Sequence, residues 1–393
     1  MKKCVYLLSS IVPLLLVSCH KDDDEYQPVD PFANTKAAFG DNIDPDNLYN
    51  YAGQTVPGYI TKDNSGANPI TDKGATLGRV LFYDVNLSSD NTVSCASCHK
   101  QEHAFSDTDV ASTGVNGTTA RHTMRLINTR FSAETHFFWD ERAVSLEQQT
   151  TMPVRNHGEM GFSGENGDQS FDDLIVKLGN IGYYKELFTW VYGTEEITEE
   201  KIQKALAQFV RSIQSFDSKY DAGRAVAGND GPPFANFTQQ ENQGKDLFLR
   251  PPVFNQNGQR INGGVGCAGC HRIPEFDIDP AAKNNGLIAT LRGIGTDMGN
   301  TRAPSLRNLV KADGTLNGPL MHTGQFATLE DAIAHYNVIT ADGNTNIDPR
   351  LIPGGNGQKL NMTQQEVSAL VAFLKTLDGA NVYTDVKWGN PFK

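Results

Sequence analysis

Two copies of one five-residue word, Cys-x-x-Cys-His, constrain this chain more than any other feature: Cys95-Ala-Ser-Cys98-His99 and Cys267-Ala-Gly-Cys270-His271. Two thiols three residues apart on a short helical turn can each add to one vinyl group of a porphyrin. The histidine that follows then projects its imidazole onto the iron as proximal ligand. The spacing therefore reads as two covalently attached c-type haems, and a chain that holds two handles electrons one at a time. A structural zinc site is the main rival. Zinc ribbons set their two Cys-x-x-Cys pairs about 15–20 residues apart, whereas here the pairs lie in different halves of the chain. Zinc also gives no reason for a histidine directly after both pairs. A thioredoxin-like redox pair fits less well, because no strand pattern precedes either word.

The chain opens with Lys2 and Lys3, an apolar stretch from Tyr6 to Val17, and Leu16-Val17-Ser18-Cys19. That is the pattern of a secretory signal over residues 1–18, too short and wrongly flanked for a membrane span. The junction resembles a bacterial lipobox, so Cys19 is expected to become an acylated first residue. The run His20-Lys21-Asp22-Asp23-Asp24-Glu25 resembles the acidic export tag of surface lipoproteins, although an acidic run after an anchor is more often a solvated tether. With Cys4 in the leader, Cys19 lipidated and four cysteines on haem, no thiol is left for a disulfide. The expected location is the periplasmic side of the cell envelope or the outer membrane, where haem c is attached and where a surface-exposed form would also sit. Loss of Lys2 and Lys3 takes the formal charge from −12 to about −14. Such a surface argues against nucleic acid and suits a basic redox partner.

Residues 19–50, with Pro28, Pro31 and Pro45, read as a lipidated tether. Beyond it the chain repeats itself. Gly78-Arg-Val-Leu81-Phe82 precedes the first haem word and Gly244-Lys-Asp-Leu247-Phe248 the second. Such duplication predicts two cytochrome c-like haem domains in tandem, 51–230 and 231–393, joined near the Gly/Pro-rich stretch 227–233. Ile202, Leu206, Phe209, Val210, Ile213 and Phe216 make one apolar face after Thr198. Thr238-Gln-Gln-Glu241 and Thr363-Gln-Gln-Glu366 are capping boxes, and the second opens a helix with Val367, Leu370, Val371, Leu374 and Leu377 on one side. No strand alternation stands out, so the fold class is all-α with long loops.

Between the haem words run Phe137-Phe-Trp139-Asp-Glu-Arg142-Ala, Ser145-Leu-Glu-Gln-Gln149, Pro153 and Glu159-Met160-Gly161. Here the chain resembles the bacterial dihaem cytochrome c peroxidase/MauG family, over nearly its whole mature length. The resemblance implies that Trp139 helps move electrons between the haems and that Gln149, Pro153 and Glu159 form the distal pocket of a peroxidatic N-terminal haem. Glu141 departs from the glycine usual in that word. Chemistry supports the Glu159 reading independently. Splitting a peroxide needs a proton moved from one oxygen to the other, which a carboxylate held over the iron can do. Outside this constellation a lone loop glutamate is ordinarily a solvated charge, and Trp139 would equally serve as a core aromatic.

Many family members block the first haem with a loop histidine until they are half-reduced. The matching stretch here, Ser112 to Arg121, contains none, which implies a first haem that is open even when oxidised. His103 and His122 are the nearest alternatives. His122 also stands where the family often has an asparagine that helps bind one calcium ion between the domains, and this departure counts against that ion. The sixth ligand of the second haem is expected from Met321 or from Tyr336, at the end of the Leu329-Glu-Asp helix. Tyr336 matches the MauG branch and is favoured; Met298 is a distant third, and His322 and His335 read as pocket or structural residues.

The leading expectation is a peroxidase that reduces hydrogen peroxide to water. Electrons come from a small redox protein, a cytochrome c or a cupredoxin, enter at the C-terminal haem and pass to the N-terminal one. A MauG-like oxidase acting on an organic or protein substrate is the alternative, and a non-enzymatic dihaem carrier is the third. The family often forms homodimers, but no residue here marks an interface.

Overall fold

The structure is a computed structural model that describes Met1, residues 30–341 and residues 343–393. The leader, Cys19 and the acidic run 20–25 lie outside the described residues. The first half carries α1 (Ala33–Phe39), α2 (Asp72–Tyr83), α3 (Cys95–Cys98), α4 (Leu146–Thr151), α5 (Phe171–Gly179), α6 (Gly182–Tyr192) and α7 (Glu199–Ser212). The second carries α8 (Lys219–Ala227), α9 (Gln239–Leu249), α10 (Leu329–Asn337) and α11 (Gln364–Lys375). Most start where a hydroxyl can accept a free first-turn N–H. Thr198 caps α7, and Thr238 and Thr363 form full capping boxes with Glu241 and Glu366. Phe216 and Leu377, read as continuing two apolar faces, lie beyond the ends of α7 and α11.

The described chain is mostly helical, but three two-stranded antiparallel ladders qualify the all-α reading. They are β1 (Thr113–Gly114) with β2 (Gly117–Thr118), β3 (Pro252–Phe254) with β4 (Arg260–Gly263), and β5 (His271–Arg272) with β6 (Asp277–Ile278). Strands of two to four residues are too short to display a period in the sequence. The β3–β4 hairpin also precedes the second cysteine word, where no strand was expected.

The sequence repeat has a direct structural counterpart. α2 crosses α7 at Gly78, where a Cβ would lie 2.0 Å from the Ala205 carbonyl oxygen and 2.8 Å from the Phe209 Cβ. α9 crosses α11 at Gly244, where a Cβ would lie 1.9 Å from the Ala369 carbonyl oxygen and 2.8 Å from the Phe373 Cβ. Only glycine permits backbones to approach this closely. Each crossing then builds the same aromatic group. Phe82 meets Phe209 at 5.1 Å and Phe105 at 6.0 Å between ring centroids; Phe248 meets Phe373 at 5.2 Å and Phe276 at 5.9 Å. These are tilted and edge contacts of the kind aromatic pairs prefer.

Buried apolar side chains fall into two large clusters, one around each crossing. Three stretches pack in ways that local composition does not show. α1 lies inside the segment read as a tether, yet Phe39 is fully buried and Glu186 accepts hydrogen bonds from Asn34 and Thr35. An aromatic residue that finds a core outweighs the acidic, proline-rich composition around it. The changeover between clusters falls between Ile213 and Tyr220, ahead of the Gly/Pro stretch. Finally, Val382, Trp388 and Phe392 return to the first cluster, with the Lys387, Trp388 and Gly389 carbonyls accepting from Tyr51, Tyr83 and Arg79.

Replacing Gly78 or Gly244 with alanine is expected to lower stability by about 1–3 kcal/mol, even though alanine is the better helix former. Gly179, in open space at the end of α5, is the control, and Gly179→Ala should leave the thermal midpoint unchanged or slightly raised. Equal midpoints for all three variants would remove the crossing as a cause of stability.

Candidate functional site

The first cysteine word forms a helical turn of its own. Ser94 and Ser97 cap each other's backbone and open α3, which ends at His99. The chain then doubles back through Ala104 and Phe105, both with left-handed backbone angles (φ 54° and 57°). This tight loop aims the Phe105 carbonyl at His99 Nδ1, 3.0 Å away. A carbonyl can only accept, so Nδ1 carries the proton and Nε2 keeps its lone pair free for a metal. Burial lowers the pKa of this imidazole, opposed by the Phe105 and Met124 carbonyls.

The four cysteines of the two words form no disulfide. Burial pushes Cys95 and Cys267 up to about 12 and Cys98 and Cys270 up to about 11. Among the described residues, no cysteine belongs to a His/Cys/Asp/Glu cluster tight enough to share one ion.

Glu159 lies near enough to the first word for its carboxylate to raise, alongside burial, both the Cys95 and the Cys98 thiol. The side chain is half-buried, and burial lifts its carboxyl pKa, with Arg142 opposing. Its backbone is clamped by the β1–β2 hairpin, in which the Val115 and Asn116 N–H groups donate to the carbonyls of Glu159 and Gly158. The fit is close enough that a Cβ on Gly114 would sit 2.1 Å from the Gly158 oxygen. Gln149, half-buried on α4, belongs to the same half of the chain.

The second word lines a largely apolar cavity of about 750 Å³ together with Met321 and Tyr336. Burial, helped by Arg350, brings the His271 imidazole down to about 4, so it is neutral, and its Nδ1 has no hydrogen-bond partner. Two free thiols and a neutral imidazole in an apolar cavity fit a thioether-linked haem. Asn285 Nδ2 donates to the Tyr336 hydroxyl at 3.3 Å and to the Met321 sulfur at 3.6 Å. The two donors that the sequence offers as alternatives thus meet at one amide. Burial raises the Tyr336 phenol, and the Asn285 bond works against it. His335 and His322 donate from Nε2 to the carbonyls of Asn285 and Ala289.

Trp139 joins the halves. It is 9% exposed, lines the same cavity, and donates from Nε1 to the His122 carbonyl at 2.7 Å. Its ring lies 6.2 Å from that of His322. Backbone bonds across the junction are reciprocal: His122 N–H donates to the His322 carbonyl, and Arg302 N–H to the Trp139 carbonyl, both at 2.8 Å. His122 engages both ring nitrogens, Nδ1 with the Asp109 carbonyl and Nε2 with Ser106 Oγ.

Three features of the site escape the sequence. Asn285 sits in a long loop without a motif. Arg125 lies in an apolar run, Met124-Arg-Leu-Ile127, where a charge was the available signal. Arg302 closes on both Glu134 and Glu141, so Glu141, the departure from the family word, has a partner of its own. Arg302 is 3% exposed, and Arg302→Met would leave two acids uncompensated. The expected loss is about 3–5 kcal/mol, read as a lower thermal midpoint; an unchanged midpoint would show that the guanidinium does not hold these acids.

The model for the family described as "Di-haem cytochrome c peroxidase" matches residues 72–230. The methylamine utilization protein MauG of Methylophilus methylotrophus is 30% identical over 80% of this chain and 84% of its own length. The cytochrome c551 peroxidase of Nitrosomonas europaea is 27% identical over 78% of this chain and 80% of its own. A crystal structure of a MauG-like protein associated with microbial copper homeostasis superposes with a TM-score of 0.64 at 27% identity, covering 86% of this chain and 99% of that one. The chain belongs to the dihaem cytochrome c peroxidase/MauG family and is a peroxidase-like oxidoreductase.

Proposed function

We propose that this protein reduces hydrogen peroxide to water at a haem c held by Cys95, Cys98 and His99. Electrons enter through a second haem c held by Cys267, Cys270 and His271, so the chain works as two haem c domains in tandem. The observation that carries this is Glu159, an acid of raised pKa clamped by backbone beside the first cysteine word. When bound, haem supplies an iron that exchanges electrons singly and can bind peroxide at an open coordination position. Glu159 takes the proton from one peroxide oxygen and returns it to the departing one. Gln149 orients the peroxide without adding charge. Two electrons and two protons then balance the conversion of one peroxide to two waters.

Trp139 lines the second cavity and is bonded to His122 of the first half, which supports a role in carrying electrons across the junction. The β1–β2 hairpin contains no histidine and spends its backbone bonds on Gly158 and Glu159. That supports a first haem open in the oxidised protein, needing no prior reduction. Tyr336 is the proposed sixth ligand at the second haem, with Met321 the alternative. Acylation at Cys19 would hold the enzyme at the envelope, where a small basic redox protein meets its acidic surface.

A second reading is favoured by Tyr336. A phenolate ligand stabilises ferric iron and suits a MauG-like oxidation of an organic or protein substrate by long-range transfer. Steady-state turnover of peroxide with a reduced cytochrome separates the two.

Ferric protein should show a high-spin EPR signal that disappears promptly on adding peroxide, without reductant. Two low-spin signals indifferent to peroxide would sink the open-haem reading. Glu159→Gln should lower peroxide turnover by about 10²–10⁴-fold with two haems still attached per chain. Tyr336→Phe should alter the spectrum of the second haem and raise its potential, while Met321→Leu leaves both unchanged; the reverse pattern would assign the ligand to Met321.

A further inference from the structure

Arg125 is a buried cation without a counter-charge. It is 8% exposed and lines the cavity of the second cysteine word. Of its five N–H donors, Nη2 reaches the Ser305 carbonyl at 3.2 Å and Nε has no partner. Among the described residues, no carboxylate pairs with it. Other buried arginines are provided for. Arg307 is bidentate to Asp221, and Arg211 is paired with Glu147. Arg79 has the Gly389 and Asn42 carbonyls and the Tyr49 ring. The cavity's other guanidinium, Arg350, is taken by Asp348 and Asp279.

A guanidinium buried with so little compensation is costly, and here burial pulls its pKa down to about 10. The missing partner is therefore an anion that arrives with whatever fills the cavity. A haem carries two propionate carboxylates, and the planar fork of arginine matches a carboxylate better than any other side chain does. The placement is also telling. Arg125 follows Met124, whose carbonyl acts on His99, and lies three residues after His122, the partner of Trp139. Arg125 thus lines the cavity of the second word while its chain neighbour acts on the histidine of the first.

We propose that Arg125 binds a propionate of the haem c in the Cys267/Cys270/His271 cavity and, by its positive charge, raises that haem's midpoint potential. The proposal rests on the reading of that cavity as a haem c site. A fixed cation in a region of low dielectric favours the reduced iron, which carries one positive charge less. Arg125 is thus a positioning and tuning residue on the electron path.

The test uses the full dihaem protein, with Arg125→Gln and Arg125→Lys. Each haem is followed by potentiometric titration and by the propionate bending band in resonance Raman spectra, and haem content is checked by pyridine haemochrome. The expected result for Arg125→Gln is a lower midpoint for the C-terminal haem, a shifted propionate band and two haems still attached. Arg125→Lys, which keeps the charge but loses the fork, should retain more of the midpoint while still moving the band, and it serves alone where the glutamine variant fails to fold. Unchanged potentials and band with both haems attached overturn the proposal, as does a shift confined to the N-terminal haem. Loss of Cys267 and Cys270 (both to alanine) without loss of one haem overturns the cavity reading itself, and the proposal with it.

Discussion

The backbone contact of α2 on α7 at Gly78, with its twin of α9 on α11 at Gly244, is the constraint on which the other contacts depend. A Cβ at either glycine would stand within about 2 Å of a facing carbonyl oxygen. Because the backbones touch, the side chains on either side are pushed into one aromatic group per crossing. Phe82, Phe209 and Phe105 form the first; Phe248, Phe373 and Phe276 form the second. Phe105 belongs to this group through its ring and to His99 through its carbonyl. Core packing and the tautomer of the candidate iron ligand are thereby set by one residue, whose left-handed backbone is the local strain that this double duty entails.

The second dependence is the junction between the halves. His122 bonds to His322, Arg302 bonds to Trp139, and the indole of Trp139 returns to His122. Matching loops deliver the partners: Phe137 bridges to Ala143 and Leu320 to Phe326, and the residues between them, Phe138 and Met321, share a left-handed φ of 70° and 69°. One loop geometry thus sets Phe138 just ahead of the junction's Trp139 in the first half and presents the Met321 sulfur to the cavity in the second. Arg302, whose N–H bonds to Trp139, also closes on Glu134 and Glu141, a compensated charge where Arg125 has none.

Much of this is legible in the sequence where the determinants are local. A capping box is an exchange between residues three apart, so Thr238 and Thr363 announce their helices without reference to the rest of the chain. The period of Ile202, Leu206 and Phe209 does the same for α7. The repeated glycines are visible too, although what each one touches lies more than a hundred residues away. By contrast, β1–β2 is too short to carry a pattern. Phe39 and Trp388 sit in segments whose polar composition conceals their anchoring aromatic residues.

The sequence by itself determined the chemistry available: two thiol pairs with an adjoining imidazole, a tryptophan, a glutamate and two rival sixth donors, since residue type and short spacing are properties of the chain alone. Only the tertiary structure decided how those groups are used. It turned the Phe105 carbonyl to His99, laid the hairpin against Glu159, brought Tyr336 and Met321 to one amide at Asn285, and left Arg125 buried beside the cavity with a single weak acceptor. The physical reason is that these contacts join segments far apart along the chain. Their partners are selected by close packing at the two helix crossings and by the need to satisfy buried polar groups, which no local pattern encodes.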